Sequence, residues 1–126
     1  MINSIFFPIL NYNRLEANMS SRIFDLKFRV WHVPQVPGKM FTVEVPTYAE
    51  AERLKSALAD YDLFQYENNI KPDYCNASGI QIYQHDLNDA ELIEMGLEDR
   101  WVDIEDEQDL QDYLDHIRST GWEIKS

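Results

Sequence analysis

Alternation is the first pattern along the chain. Between Ile23 and Val33, apolar Phe24, Leu26, Phe28 and Val30 take every second position while Asp25, Lys27, Arg29 and Trp31 take the others. That period of two predicts a strand with one buried face. Pro34-Gln-Val-Pro-Gly-Lys39 reads as a turn, because proline presets φ and glycine permits the reversal. Phe41, Val43 and Val45 then alternate with Thr42 and Glu44, so the two strands are expected to form a hairpin.

The period next changes to that of a helix. Thr47 and Glu50 have capping-box spacing, and Tyr48, Ala51, Leu54, Leu58 and Tyr61 recur at three and four residues. They predict one apolar face of a helix of about four turns. Lys71-Pro72 cannot continue it, since proline lacks the donor and biases its predecessor toward extended geometry. Ile80 to Gln84 alternates as a third strand, and Asn88 to Glu91 caps a short helix that ends at Gly96. Arg100 to Ile104 is a fourth strand. Asp106 caps a last helix with Leu110, Tyr113, Leu114 and Ile117 on its buried side, and Trp122 to Ile124 adds a short edge strand.

This order predicts a single α+β domain over residues 22–126, with a mainly antiparallel sheet of four to five strands, two longer helices and one short helix. Residues 1–21 keep no period and read as an N-terminal arm or extension.

The stretch from Tyr61 to Gly79 is explained least by folding alone. It interleaves Tyr61, Phe64, Tyr66 and Tyr74 with Asn68, Asn69, Asn76, Lys71 and Pro72. Rings among amides point to a loop that either packs on the body or holds a flat ligand. Together with Arg29 and Trp31 on the open side of the first strand, Phe64, Tyr66, Asn69, Lys71 and Asn76 supply the side-chain types that a nucleotide needs: rings for the base, amides for its edge, cations for phosphate. The plainer reading is that the rings plug the sheet end while the asparagines make turns with their own backbone.

Charge changes the picture in one respect. The net charge is −12, and residues 84–126 hold three Lys/Arg against fourteen Asp/Glu. A surface of that sign repels nucleic acid and acidic membranes, and it could mimic a polyanion in binding a nuclease. Otherwise composition mainly excludes. One cysteine, Cys75, rules out an intrachain disulfide and fits a reducing compartment. No apolar run approaches the roughly 20 residues that span a bilayer, so a cytoplasmic protein without membrane or direct nucleic-acid contact is expected. His32, His85 and His116 lack ligand spacing, and the four glycines do not cluster into a phosphate loop. No catalytic residue, metal site or cofactor is assigned, and the chain reads as a binding protein, not an enzyme.

Residues 28–83, with Trp-His-Val-Pro-Gln-Val-Pro ahead of the Tyr61 to Gly79 segment, resemble small proteins encoded by phages and prophages, among them the Thoeris anti-defence family. That resemblance implies phage counter-defence by a non-catalytic sponge in the host cytoplasm. Its partner would be a small-molecule cyclic nucleotide, a cyclic ADP-ribose isomer, buried between subunits of a homo-oligomer and so withheld from TIR-based immunity. Tyr66 would stack on a base, Asn76 would pair with it or with a ribose, and Lys71 or Arg29 would meet the pyrophosphate. The alternative is an acidic nucleic-acid mimic that inhibits a restriction or CRISPR nuclease.

Overall fold

The computed structural model describes Ile23 to Lys125. The expected arm over residues 1–21 lies outside the described residues. The chain divides into two compact units, one spanning Leu26–Gln111 and a second that includes Ile23–Asp25 and residues 112–125. The class is α+β, as the mixture of periods predicts: a four-stranded antiparallel sheet and, among the described residues, three helices.

In the first unit the chain runs through β2 (Phe28–Val33), β3 (Phe41–Val45), α1 (Tyr48–Glu67), β4 (Ala77–Tyr83), α2 (Asp89–Met95) and β5 (Trp101–Ile104). Sheet order is β3-β2-β4-β5, every pair antiparallel. Registers Phe28↔Ile82, Val30↔Ile80 and Ile80↔Ile104 bring the apolar alternates of three strands onto one face, where all five side chains are buried. Helix α1 covers β2 and β4 on that face, with Ala51 fully buried and the Tyr48 ring edge-on to Phe28 at 6.1 Å. Each large apolar side chain so buried contributes about 1.5–3 kcal/mol. The β2–β3 ladder stops at Val45↔Phe28, where Pro46 follows without an N–H to donate.

In the second unit, β1 (Ile23–Asp25) pairs in parallel with β6 (Glu123–Lys125). Two expectations change here. The alternation from Ile23 to Val33 is divided between two strands in different sheets, and the C-terminal strand joins β1, not the edge of the main sheet. Helix α3 (Glu107–Ser119) begins as its sequence predicts, with Asp106 accepting from the Asp109 N–H at 2.8 Å and its carbonyl accepting from Leu110, and Ile117 is fully buried.

Two further differences bear on function. Helix α1 continues to Glu67, so Phe64 and Tyr66 are helical and not in a loop. The apolar period fails there because Asp62 occupies the inward position that follows Ala51, Lys55 and Leu58 at helical spacing. Gly79, at the end of the stretch expected to be a loop, is not in a loop either, because it sits inside β4 opposite Trp31. A Cβ at Gly79 would lie 2.4 Å from the Trp31 Nε1, so the missing side chain is what lets the indole lie across the sheet. Among the described residues no helix is long and apolar enough to cross a membrane.

Candidate functional site

A carboxylate on the inward face of a helix must be satisfied from within. Asp62 is 2% exposed, and three side chains reach it from two segments, β2 and the loop after α1. His32 Nε2 of β2 donates to Oδ2 at 2.8 Å, Asn76 Nδ2 donates to the same oxygen at 2.7 Å, and Lys71 Nζ lies 3.3 Å from Oδ1. Lys71 also donates to the Pro34 carbonyl. Burial pushes the Asp62 carboxyl up, but the hydrogen bonds from Asn76, His32 and Lys71 outweigh it and hold the group below its ordinary value. His32 is 1% exposed, its ring meets Phe41 edge-on at 5.7 Å, and its Nδ1 has no hydrogen-bond partner. The cluster fastens β2, α1 and the following loop together, away from solvent.

That loop packs on the body. Asn68 returns its N–H and amide to the Phe64 carbonyl, and Asn69 takes φ 62°, the left-handed conformation that asparagine tolerates best after glycine. The N–H groups of Ile70 and Lys71 both bond the Gln65 carbonyl. Further along, Gln35 donates to Asp73, and the Val36 N–H reaches the Cys75 carbonyl at 2.7 Å. The Tyr66 and Tyr74 rings lie 6.5 Å apart, and Cys75 is exposed.

The outer face of the sheet carries a connected polar and aromatic layer. Arg29 donates to Gln81 at 2.7 Å and pairs with Asp99 at 3.7 Å, Gln81 donates to Asp103 at 3.1 Å, and Trp31 Nε1 donates to Asp103 at 3.3 Å. Lys27 sits 4.4 Å above the Tyr83 ring, and the Arg29 guanidinium lies 4.6 Å from the Trp101 ring. Both cations on this face therefore already have aromatic partners.

Beside this layer is a cleft of about 370 Å³ lined by residues that include Trp31, Tyr48, Glu52, Lys55, Ser78, Asp103 and Glu105. Unequal strand lengths open it. β5 ends at Ile104 opposite Ile80, whereas β4 begins three residues earlier at Ala77. The Tyr83 N–H bonds the Lys27 carbonyl and the Gln84 N–H bonds the Arg100 carbonyl. By antiparallel alternation the backbone of Ser78 then points to the β5 side, beyond the last paired residue of β5. The Tyr48 phenol is pushed up, first by burial and then by the charges of Glu52, Glu107 and Asp106. With three carboxylates and one lysine, the lining suits cationic or hydrogen-bond-donating groups.

The seven residues singled out from the sequence are thus placed in different settings. Lys71 and Asn76 belong to the Asp62 cluster, Arg29 and Trp31 to the outer face, and Phe64 projects from α1 with 54% exposure. Tyr66, Asn69 and Lys71 border an open hollow with Glu67, Ile70 and Pro72. Sequence reasoning missed Asp62, whose only signal is a charge at an inward helical position, and missed Gln81, Tyr83, Trp101 and Asp103, which only the strand register brings together. Among the described residues, no group of three or more His, Cys, Asp or Glu could hold a metal ion.

Comparison with known proteins bears on the same stretch. The model of the family described as superinfection exclusion gene product 17 matches residues 27–119. The superinfection exclusion protein of Salmonella phage P22 is 52% identical over 97 residues, covering 74% of this chain and 94% of that protein. No solved structure matches significantly. These matches overturn the resemblance to the Thoeris anti-defence family and, with it, the cyclic ADP-ribose sponge as the function. The nucleic-acid mimic directed at a nuclease is overturned on the same ground.

Proposed function

This chain belongs to the superinfection exclusion gene product 17 family, and we propose on that premise that it acts in superinfection exclusion, blocking infection of its host cell by another phage. The observation that carries this reading is the 52% identity to the phage P22 superinfection exclusion protein, which spans 94% of that relative.

The mode we propose is non-covalent binding to a protein, in the cytoplasm, without turnover. Its support lies in how the reactive groups are disposed. Among the described residues, an acid–base pair of catalytic type, His32 with Asp62, is sealed at 1% and 2% exposure and is already bound by Lys71 and Asn76. A general base must come within hydrogen-bond reach of its substrate, and this pair is enclosed by its own fold.

Efficiency of plating tests the function. Susceptible bacteria expressing the chain from a plasmid are challenged with a panel of phages alongside cells carrying the empty vector. Reduced plating of at least one phage is the expected result, and full plating of every phage on expressing cells overturns the reading. Fractionation of the same cells should place the chain in the soluble cytoplasmic fraction.

A further inference from the structure

The excursion between β4 and β5 carries helix α2, none of whose residues is buried. Helix α2 has only seven residues, a length at which helices do not hold in water without help. Here the help comes from its ends. Asn88 and Glu91 form a reciprocal capping box at 2.8 and 2.9 Å. Gly96 closes the other end at φ 73°, with the Leu97 N–H bonded to the Leu92 carbonyl at 2.9 Å. Arg100 clasps the base, donating to the Leu87 carbonyl at 2.9 Å and to Asp89 at 2.6 Å.

What this frame presents is apolar. Ile93 is 80% exposed, Met95 58% and Leu97 37%. Ile93 and Met95 are two positions apart, so they stand on different sides of the helix. Apolar surface therefore wraps the end of α2 instead of forming a stripe, which gives it the shape of a plug suited to a socket.

Charge selects among possible occupants. Residues 84–100 contain six acids against one cation, Arg100. Asp89 is paired with Arg100 and Asp99 with Arg29, and Glu91, Glu94 and Glu98 are among the acids that keep the surface net negative. A second copy of the plug or an anionic bilayer would meet like charge, and so would nucleic acid. A protein that offers an apolar socket bordered by lysine and arginine meets both features at once. We propose that α2 and its flanks, Asn88 to Leu97, dock into such a socket on a protein partner, with Ile93 and Met95 as anchors and Glu94 and Glu98 facing its basic rim. This deepens the exclusion reading and rests on it for biological context.

A photoreactive amino acid placed at Ile93, with Phe64 on α1 as the control position, tests the proposal in phage-challenged cells. An adduct to one protein from position 93 and none from 64 is expected. With that protein purified, Ile93→Ser/Met95→Ser should weaken binding about 30-fold or more, as loss of a hot spot does. Glu94→Lys/Glu98→Lys and rising salt should weaken it too, while the melting temperature of each variant stays near that of the parent because these side chains are exposed. Equal binding by the Ser double variant, adducts only to a second copy of the chain, or flotation of the parent protein with phosphatidylglycerol vesicles would each overturn the proposal. Failure of the parent to exclude any phage would instead count against the exclusion reading, and the adduct and binding measurements would still decide the docking.

Discussion

His32 on β2 and Asp62 on α1 share a 2.8 Å hydrogen bond at a place where neither side chain reaches water. Because a carboxylate can only accept, the imidazole Nε2 is the donor. Asn76 and Lys71 complete the shell from the loop that follows the helix. The first long helix, the central strand and the segment with the most unusual composition are thus held by one ion cluster in addition to the apolar packing of Ala51 and Tyr48.

Removing the shared acceptor should be costly. Asp62→Ala leaves His32 and Lys71 facing each other across a buried gap, and breaking a buried pair in this way costs about 3–5 kcal/mol. Urea denaturation should show that loss as a lower midpoint. Phe64→Ser, on the exposed side of the same helix, should stay within about 0.5 kcal/mol of the parent.

The same carboxyl gives stability a pH signature. Its folded pKa lies below the ordinary value of 3.8, so the unfolded chain binds its proton first as pH falls. Stability from this group is full above that ordinary value and is lost as pH drops below it, through the still lower folded pKa. Unfolding free energies measured from pH 6 downward should therefore fall more steeply in the parent than in Asp62→Asn. Equal slopes would show that the carboxyl is not held in this way.

Gly79 and Trp31 should behave as a coupled pair. In Gly79→Ala the added methyl would enter the indole at 2.4 Å, so Trp31 must leave its seat and release Asp103. A loss of about 1–3 kcal/mol is expected, together with a change in tryptophan emission. In a Trp31→Ala background the same substitution should cost much less, and additivity of the two losses in a double-mutant cycle would contradict the contact.

Capping governs the α2 plug. Asn88→Ala removes the acceptor of the Glu91 N–H and should cost about 1 kcal/mol. The loss should show in hydrogen exchange, with faster exchange at residues 91–97 and slow amides kept at Val30 and Ile82 in the core.

Much of this fold was legible in the sequence because local chemistry and tertiary structure agree. Thr47, Asn88 and Asp106 each cap the helix they announce, Gly96 takes the left-handed stop, and the alternates Phe28, Val30, Ile80 and Ile82 form the core. Legibility failed where a long-range contact overrides the local signal. Asp62 looks like a surface residue until His32, Asn76 and Lys71 are brought around it, and its charge hides the last turns of α1. Gly79 looks like a loop residue until Trp31 is laid across it. Pairing of β1 with β6 joins segments 100 residues apart in the sequence, which no local pattern encodes. The candidate residues were chosen by type, and type does not say which face of a sheet or side of a helix carries them. Function was legible least, since the proposed exclusion role rests on the family relationship and not on any motif in the sequence.

An infective-centre assay addresses the exclusion claim most directly. Cells with and without the chain are infected at low multiplicity by a phage whose plating the chain reduces, and the fraction of cells that release progeny is counted. A smaller productive fraction in expressing cells, restored to the control level when the start codon is removed, is the result predicted here. An unchanged productive fraction would contradict it.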